Sequence, residues 1–424
     1  MQIEIPELCV VALIGVSSSG KSTFSKTHFK PTEVLSSDYF RALVSDDENN
    51  QEVTQQAFEA LYFVARKRLE LGLLTVIDAT SVQEFARRQI LRLAKEHDCF
   101  AAAIVLDINE DIIIERNKNR PDRNLTKDIL TRQMNQLKKT SIEQLKKEGF
   151  RYVYVLSSED DINNAEIVRA QLWNNKKGEA GPFDIIGDIH GCYDELCELF
   201  IKLNYEVDAE NFNAKPPHGR KAVFLGDLCD RGFKNVEVLR LVMNMTHNCD
   251  ALCVLGNHDN KLLRKLNGRN VQLTHGLDRT VEQLEKESTE FSENVKTFLN
   301  GLISHYIFDE GRLVVAHAGI KEEYQGRTSG HVYNFCLYGE TTGETDEYGL
   351  PVRYPWANEY KGKALVVYGH IPNAEVLSVN NTFCIDTGCV FGGKLTAFRY
   401  PEKEIVQVNA KQEYYASLKP FAQS

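Results

Sequence analysis

The residues best equipped for chemistry stand at the ends of short apolar runs. Phe183–Ile186 leads into Gly187-Asp188-Ile189-His190-Gly191, and Val223–Leu225 into Gly226-Asp227, then Asp230-Arg231-Gly232. Leu252–Leu255 leads into Gly256-Asn257-His258-Asp259. Leu313–Ala316, Leu365–Tyr368 and Thr382–Ile385 lead into His317-Ala318-Gly319, Gly369-His370 and Asp386. Open α/β sheets place ligands at the carboxyl ends of strands, and glycine lets the backbone turn sharply beside a crowded centre. Asp188, His190, Asp227, Asn257, His317 and His370 offer oxygen and nitrogen donors that suit Mn²⁺, Fe or Zn²⁺ better than Ca²⁺. They are too many for one ion. Two ions about 3.5–4 Å apart, sharing a carboxylate, would use them all and clamp an in-line phosphoryl displacement. One histidine on an apolar strand is ordinarily structural, but four of the eleven (His190, His258, His317, His370) share this setting. His28, His97, His218, His247, His305 and His331 do not, and His275 in Thr274-His275-Gly276 does so only in part.

A second constellation lies near the start. ALIGVSSSGKST holds Gly15-x4-Gly20-Lys21-Ser22 between an apolar run and a helical stretch. In such a loop the backbone N–H groups face phosphate oxygens, the lysine reaches the β and γ phosphates, and the serine holds Mg²⁺. Gly15, Ser18, Ser19, Gly20, Lys21, Ser22 and Thr23 are therefore the expected nucleotide-binding residues. Asp38, after Val34–Ser37, is placed to accept the proton of an attacking hydroxyl or to cap the next helix. Asp78, after Val76-Ile77, is placed to orient Mg²⁺ or, equally, to cap a helix. Arg116, Arg120 and Arg123 would share one face if their helix continued past Pro121. They read as an arginine lid over the γ-phosphate or as a solvated face.

These sites need elements to hold them. Val10–Ile14, Leu74–Ile77, Ala102–Leu106 and Tyr152–Leu156 read as strands. The amphipathic stretches Gln55–Leu71, Phe85–Glu96 and Leu125–Lys147 read as helices between them. Strand–helix alternation predicts an α/β domain, a parallel sheet with helices on both faces, over 1–172. The polar stretch around NNKKGEAGP reads as a linker over 173–182. A second α/β domain is expected over 183–405, with a mainly helical insertion about 260–310 and a tail from 406 to 424.

GDIHG, GDLCDRG, GNHD, HAG and YGH together closely resemble the calcineurin-like binuclear metallophosphoesterases, over about residues 183–400. The resemblance implies a sheet sandwich flanked by helices. By it, Asp188, His190 and His370 would hold one metal, Asp227 would bridge, and Asn257 and His317 would complete the second site. Arg231 would bind substrate phosphate, His258 would contact the phosphate or protonate the leaving group, and Asp386 would support the site. The metals are expected to be two divalent ions, Mn²⁺ first.

A P-loop kinase with SSDYFR at 36–41, followed by this phosphatase, looks like bacterial polynucleotide kinase-phosphatase of the RNA-repair type. That resemblance implies that Lys21 and Ser22 bind ATP or another NTP with Mg²⁺. Asp38 would be the base for a 5′-OH, Arg41 would contact the acceptor nucleotide, and Arg116 and Arg123 would act from the lid. The expected partners are RNA or DNA ends, NTP, a ligase domain or ligase protein, and a 3′-terminal RNA ribose methyltransferase. Such enzymes typically carry a ligase domain built on a KxDG-type lysine, and this sequence has no such motif. The pairing has a chemical logic. A break bearing 5′-OH and 2′,3′-cyclic phosphate ends cannot be joined until a kinase treats one end and a phosphatase the other.

Composition bounds the alternatives. The chain has 424 residues, 42% hydrophobic and 26% charged, as in a globular protein of two or three domains. Its net charge of −10 excludes a general polyanion binder, so nucleic-acid contact must be local. The longest apolar run, Leu8–Val16, falls well short of the roughly 20 residues of a membrane span. The acidic MQIEIPEL start lacks a leader's basic region, and ten cysteines without a CxxC pair read as reduced, so a cytoplasmic protein is expected. Two other readings remain. One is a small-molecule kinase fused to a dinucleoside-polyphosphate or phosphoprotein phosphatase. The other is a non-catalytic nucleotide sensor, against which the full ligand set argues.

Overall fold

The computed structural model describes residues 1–120 and 125–417. The chain divides into two compact units: Met1–Leu172 with Arg327–Ser329, and Trp173–Gly326 with Gly330–Ser424.

The first unit is built on a five-stranded sheet in the order Val34–Ser36, Thr75–Asp78, Cys9–Gly15, Phe100–Leu106, Tyr152–Leu156. All its pairs are parallel. Its central strands are buried along almost their whole length because both faces are covered. Val10, Ala12 and Ile14 face one core with Leu61, Ile90 and Met134 from three helices. Val11 and Leu13 face the other with Phe24 from the helix Lys21–His28. Here Ile3 and Ile5 of a parallel ribbon, Gln2–Pro6 with Glu166–Ala170, share the cover. Cys9–Gly15 sits centrally where chain order reverses, and the phosphate loop follows it.

The expected helix Leu125–Lys147 is two helices, Lys127–Leu137 and Ile142–Glu148. Ser141 separates them, its Oγ taking the Gln144 N–H at 3.1 Å as an N-cap. Glu148 then accepts two hydrogen bonds from Arg87, each 2.7 Å, with both side chains at most 5% exposed. Burial alone would raise the Glu148 pKa, but the hydrogen bonds from Arg87 and Gln144 hold it below the usual carboxylate range. A carboxylate depressed by folding stabilises the fold above its unfolded pKa, and this is lost as pH falls through the folded value. Arg87→Ala should therefore cost about 3–5 kcal/mol at neutral pH. Urea unfolding should show the gap to wild type closing as the pH drops below the ordinary glutamate range.

The second unit stacks two sheets. One has the order Ala251–Cys253, Lys221–Phe224, Phe183–Ile186, Lys394–Tyr400, Glu404–Asn409. The other has the order Leu377–Val379, Thr382–Cys384, Leu365–Tyr368, Leu313–Ala316, His305–Phe308, Asn175–Lys176. Side chains alternate across each strand. Phe183, Ile185, Val223, Leu313, Val315 and Val367 meet between the sheets. Ile186, Ala222 and Phe224 face helices on one outer side. Val314, Val366 and Tyr368 pack with Phe335 and Trp356 on the other.

Three expected boundaries change. The stretch 173–182 is not a free linker: Asn174 is buried against His305 at 2.9 Å, and Asn175–Lys176 adds a strand to the six-stranded sheet. The stretch 260–310 is mainly helical but is part of the core and closes on a strand. Its helices Leu277–Glu285 and Thr289–Gly301 supply Leu284, Val295 and Leu299 to the core, and it ends in the strand His305–Phe308. The tail begins later than 406, because Glu404–Asn409 pairs antiparallel with Lys394–Tyr400 and buries Val406 and Val408. Two valines alternating with polar residues are too short a period to stand out in the sequence. No described helix is long and apolar enough to cross a membrane.

Candidate functional site

The phosphate loop of the first unit is shaped by what its glycines permit. A Cβ on Gly15 would lie 2.8 Å from Ser19 Oγ and 2.9 Å from the Leu106 carbonyl. Gly20 takes φ 98°, in the left-handed region. The turn folds Lys21 Nζ back onto the carbonyls of Gly15 and Val16, at 2.9 and 2.8 Å. Gln133 Oε1 accepts the Ser17 N–H at 2.9 Å, an anchor that no motif announces. A cavity of about 390 Å³ adjoins the loop, and Ser18, Gly20, Lys21, Ser22 and Thr23 line it. Asp38, Asp78, Arg116 and Arg120 line it from other segments.

Neither carboxylate serves as a helix cap. Ser36 caps the helix Ser37–Ser45, so Asp38 does not. Asp38 is instead gripped by Arg41 Nη2 at 2.5 Å. Arg41 is 5% exposed, and its other donors reach the carbonyls of Ser37 and Glu48. It thus positions Asp38 from within its own segment. Asp78 accepts from Ser25 Oγ at 3.4 Å and caps no helix, since the next begins at Glu84. Burial raises its pKa, and Lys21 with the Ser22 and Ser25 side chains pulls it back.

Ser18 Oγ and Ser19 Oγ are buried without a hydrogen-bond partner. Two orphaned hydroxyls, a lysine, and the Ser22–Asp78 oxygen pair fit a Mg²⁺-bound nucleotide phosphate. Arg116 touches the Ser19 carbonyl at 3.5 Å and pairs with Glu159. The helix Glu110–Lys118 stops before Arg120, so Arg116 and Arg120 do not share one helical face. Pro121 and Arg123 lie outside the described residues.

In the second unit the strand ends converge. His190, Asp227, Asp230, Arg231 and His370 all hold φ between 48° and 74°, which is costly for side-chain-bearing residues and typical of functional sites. Gly369 is forced by contact, because a Cβ there would lie 2.0 Å from Asp188 Oδ1. Ligand atoms of Asp227, His317 and His370 lie within 4.8 Å of one another, and so do those of His190, Asp227 and His258. Asp227 is the member common to both groups. Asn257 Oδ1 lies 2.9 Å from His317 Nε2. The His370 N–H donates to both Asp188 oxygens at 3.2 and 3.1 Å.

This grouping departs from the implied one in three respects: His258 joins His190 and Asp227, Asp188 belongs to neither group, and His370 changes place. The His370 ring falls with Asp227 and His317, with its Nδ1 3.0 Å from His317 Nε2, whereas the resemblance placed it with Asp188 and His190. The left-handed backbone at His370 turns its ring toward His317 and leaves its N–H for Asp188.

The donor set fits divalent metal. His190 Nδ1 meets the Cys229 carbonyl at 2.8 Å and His317 Nδ1 the Leu225 carbonyl at 2.9 Å. A carbonyl only accepts, so each Nδ1 carries the proton and each Nε2 keeps its lone pair for a ligand. His370 Nε2 is buried without a partner. Burial, then the charges of Asp386 and Asp227, push the Asp188 pKa well up. Burial also raises Asp227 and Asp386 and drives His190, His258 and His370 well down. Crowded carboxylates and neutral imidazoles are an arrangement that cations relieve.

His258 stands apart in its bonding. Its Nδ1 meets Asp230 Oδ2 at 2.7 Å, and the other oxygen of Asp230 accepts from Thr280 Oγ1 at 2.6 Å. Its Nε2 meets Arg231 Nη2 at 2.9 Å. Asp230 is 0% exposed, and burial lifts its pKa to about 6. The GDLCDRG text contains Asp230 but does not disclose its service to His258, and Thr280 comes from a helix with no motif. Asp259 is a third such residue. It accepts the Leu228 and Gly256 N–H groups at 3.0 and 3.1 Å, tying the Asp227 turn to the helix that starts at Asn257. Asp230→Asn should lower phosphatase kcat by about 10–100-fold with little change in metal content. Thr280→Val should cost less. Parallel kinetics and metal analysis check both.

The profile of calcineurin-like phosphoesterases matches residues 181–404, and that of AAA domains matches residues 10–145. Bis(5′-nucleosyl)-tetraphosphatase PrpE of Anoxybacillus flavithermus is 46% identical over 244 residues, covering 56% of this chain and 99% of its own. The Halalkalibacterium halodurans protein of the same name is 47% identical over 234 residues, covering 54% and 94%. That of Bacillus subtilis is 46% identical over 238 residues, covering 55% and 96%.

Proposed function

The chain belongs to the calcineurin-like phosphoesterase family, here joined to a P-loop domain, and we propose that it heals nucleic-acid ends. Its first unit transfers the NTP γ-phosphate to a 5′-OH. Its second removes a 2′,3′-cyclic, 2′- or 3′-phosphate. One observation carries this reading: the phosphate cavity of the first unit includes Asp38, a carboxylate aimed by Arg41 and not spent on capping. An ATPase needs no such base for an acceptor alcohol, but a kinase does.

The residues then divide the work. Lys21, Ser18, Ser19 and Thr23 would hold phosphate, Ser22 and Asp78 would hold Mg²⁺, and Asp38 takes the proton of the acceptor hydroxyl. Arg116 offsets charge on the transferred group. In the second unit Asp188, His190, Asp227, Asn257, His317 and His370 would hold two divalent ions, Mn²⁺ first. Those ions supply Lewis-acid polarisation of the phosphoryl group. Arg231 binds the phosphate oxygens. His258, oriented by Asp230, contacts the phosphate or protonates the leaving ribose oxygen, and Asp386 supports the site. RNA ends are the proposed substrate, and a ligase with a 3′-terminal ribose methyltransferase are the proposed partners.

The names of the relatives favour a second reading, a small-molecule kinase joined to a dinucleoside-polyphosphate hydrolase. One experiment separates the two. The protein is incubated with Mg²⁺, Mn²⁺, labelled ATP and a short RNA bearing 5′-OH and 2′,3′-cyclic phosphate, beside a parallel reaction on diadenosine tetraphosphate. Mass gain at the 5′ end with phosphate loss at the 3′ end supports end-healing. An unchanged RNA with efficient tetraphosphate cleavage sinks it.

A further inference from the structure

Two turns of the phosphatase site each run on into a buried cysteine. Cys192 follows His190 by two residues, and Cys389 follows Asp386 by three. Glu195, in the first turn of the helix Tyr193–Lys202, completes a trio. One ligand atom from each of Cys192, Glu195 and Cys389 lies within 4.8 Å of the others. They are 1%, 0% and 2% exposed, and neither cysteine is in a disulfide. Glu195 Oε1 accepts from the Lys411 N–H at 2.8 Å and the Tyr414 hydroxyl at 2.7 Å. Its Oε2 is buried without a hydrogen-bond partner. A carboxylate oxygen in that condition is costly unless a cation compensates it.

We propose that Cys192, Glu195 and Cys389 form a third metal site, for one borderline-soft divalent ion such as Zn²⁺. Two sulfurs and an oxygen are a zinc set and a poor one for Mg²⁺ or Ca²⁺. Zn–S near 2.3 Å and Zn–O near 2.0–2.2 Å bring such donors to about 4 Å apart, inside the 4.8 Å within which these atoms lie. Binding sends the two thiol protons to solvent and leaves two thiolates on the ion. Tyr414 and the Lys411 backbone orient the carboxylate through its other oxygen, as outer partners of a metal site do. The ion ties the His190 turn, the Asp386 turn and the segment at Lys411–Tyr414 to one point. It is structural and touches no substrate.

The test adds Co²⁺ to the reduced, metal-stripped full chain. Sulfur ligation produces a near-ultraviolet thiolate-to-cobalt charge-transfer band, which the oxygen and nitrogen donors of the binuclear centre do not give. The expected band reaches at saturation the intensity of one two-thiolate cobalt, persists in His317→Ala and disappears in Cys389→Ser. Glu195→Gln keeps an acceptor for Tyr414, and it should weaken cobalt binding at least tenfold while retaining the circular dichroism of the parent. That variant decides the matter if Cys389→Ser does not fold. No band in the parent, an unweakened Glu195→Gln, or a Cys192–Cys389 disulfide found by mass would each overturn the site.

Discussion

Asp227→Asn should lose more than about 100-fold in phosphatase activity while the kinase in the same preparation is untouched. The magnitude follows from Asp227's place in both ligand groups. Loss of an outer-shell partner already costs about 10–100-fold, and loss of a shared ligand must exceed that. The substitution is chosen to separate charge from scaffold. Asparagine keeps an oxygen for the His258 N–H, which Asp227 Oδ1 accepts at 2.9 Å. It removes one of the buried charges that raise Asp188. Metal-free Asp227→Asn should therefore melt no lower than metal-free wild type, and metal should raise its melting temperature less. Activity within tenfold of wild type at saturating Mn²⁺ would show that Asp227 is not the shared ligand.

Asp38→Asn should remove the kinase by about 10²–10⁴-fold in kcat, the usual range for a positioned general base. ATP affinity and phosphatase activity should hold. Asparagine retains an oxygen for Arg41 Nη2, so the buried guanidinium keeps its partner. Alanine would strand that charge and confuse catalysis with folding. Arg41→Lys should show the complementary effect: kcat falls because lysine cannot match the guanidinium's several donors, while ATP affinity stays. Single-turnover phosphoryl transfer, with ATP binding measured separately, distinguishes a base from a nucleotide ligand. Should Asp38→Asn lose ATP binding in proportion to rate, the base assignment fails.

Much of the fold was legible because its strands bury both faces. Apolar runs such as Val10–Ile14, Leu313–Ala316 and Leu365–Tyr368 have no polar residue to hide them, and they appear as strands within a residue or so of their sequence limits. Less legible were elements whose stability comes from partners distant in sequence. Asn175–Lys176 is a strand because His305–Phe308 offers it an edge. Glu404–Asn409 is one because Lys394–Tyr400 lies beside it. Ser141 splits a helix that its flanking amphipathic pattern would continue.

The candidate sites divide along the same line. Types and local spacing alone singled out the glycine-flanked Asp, His and Asn at strand ends that the fold then brings close together. The phosphate loop was equally plain, because its function is carried by consecutive backbone. Tertiary structure decided how those residues are paired and held. It placed His370 with His317, set Asp230 and Thr280 behind His258, made Arg41 the holder of Asp38, and gathered Cys192, Glu195 and Cys389. The reason is physical. A motif records what a short stretch of backbone must do, whereas hydrogen bonds such as Thr280 to Asp230 join positions 50 residues apart and exist only once the sheets have packed.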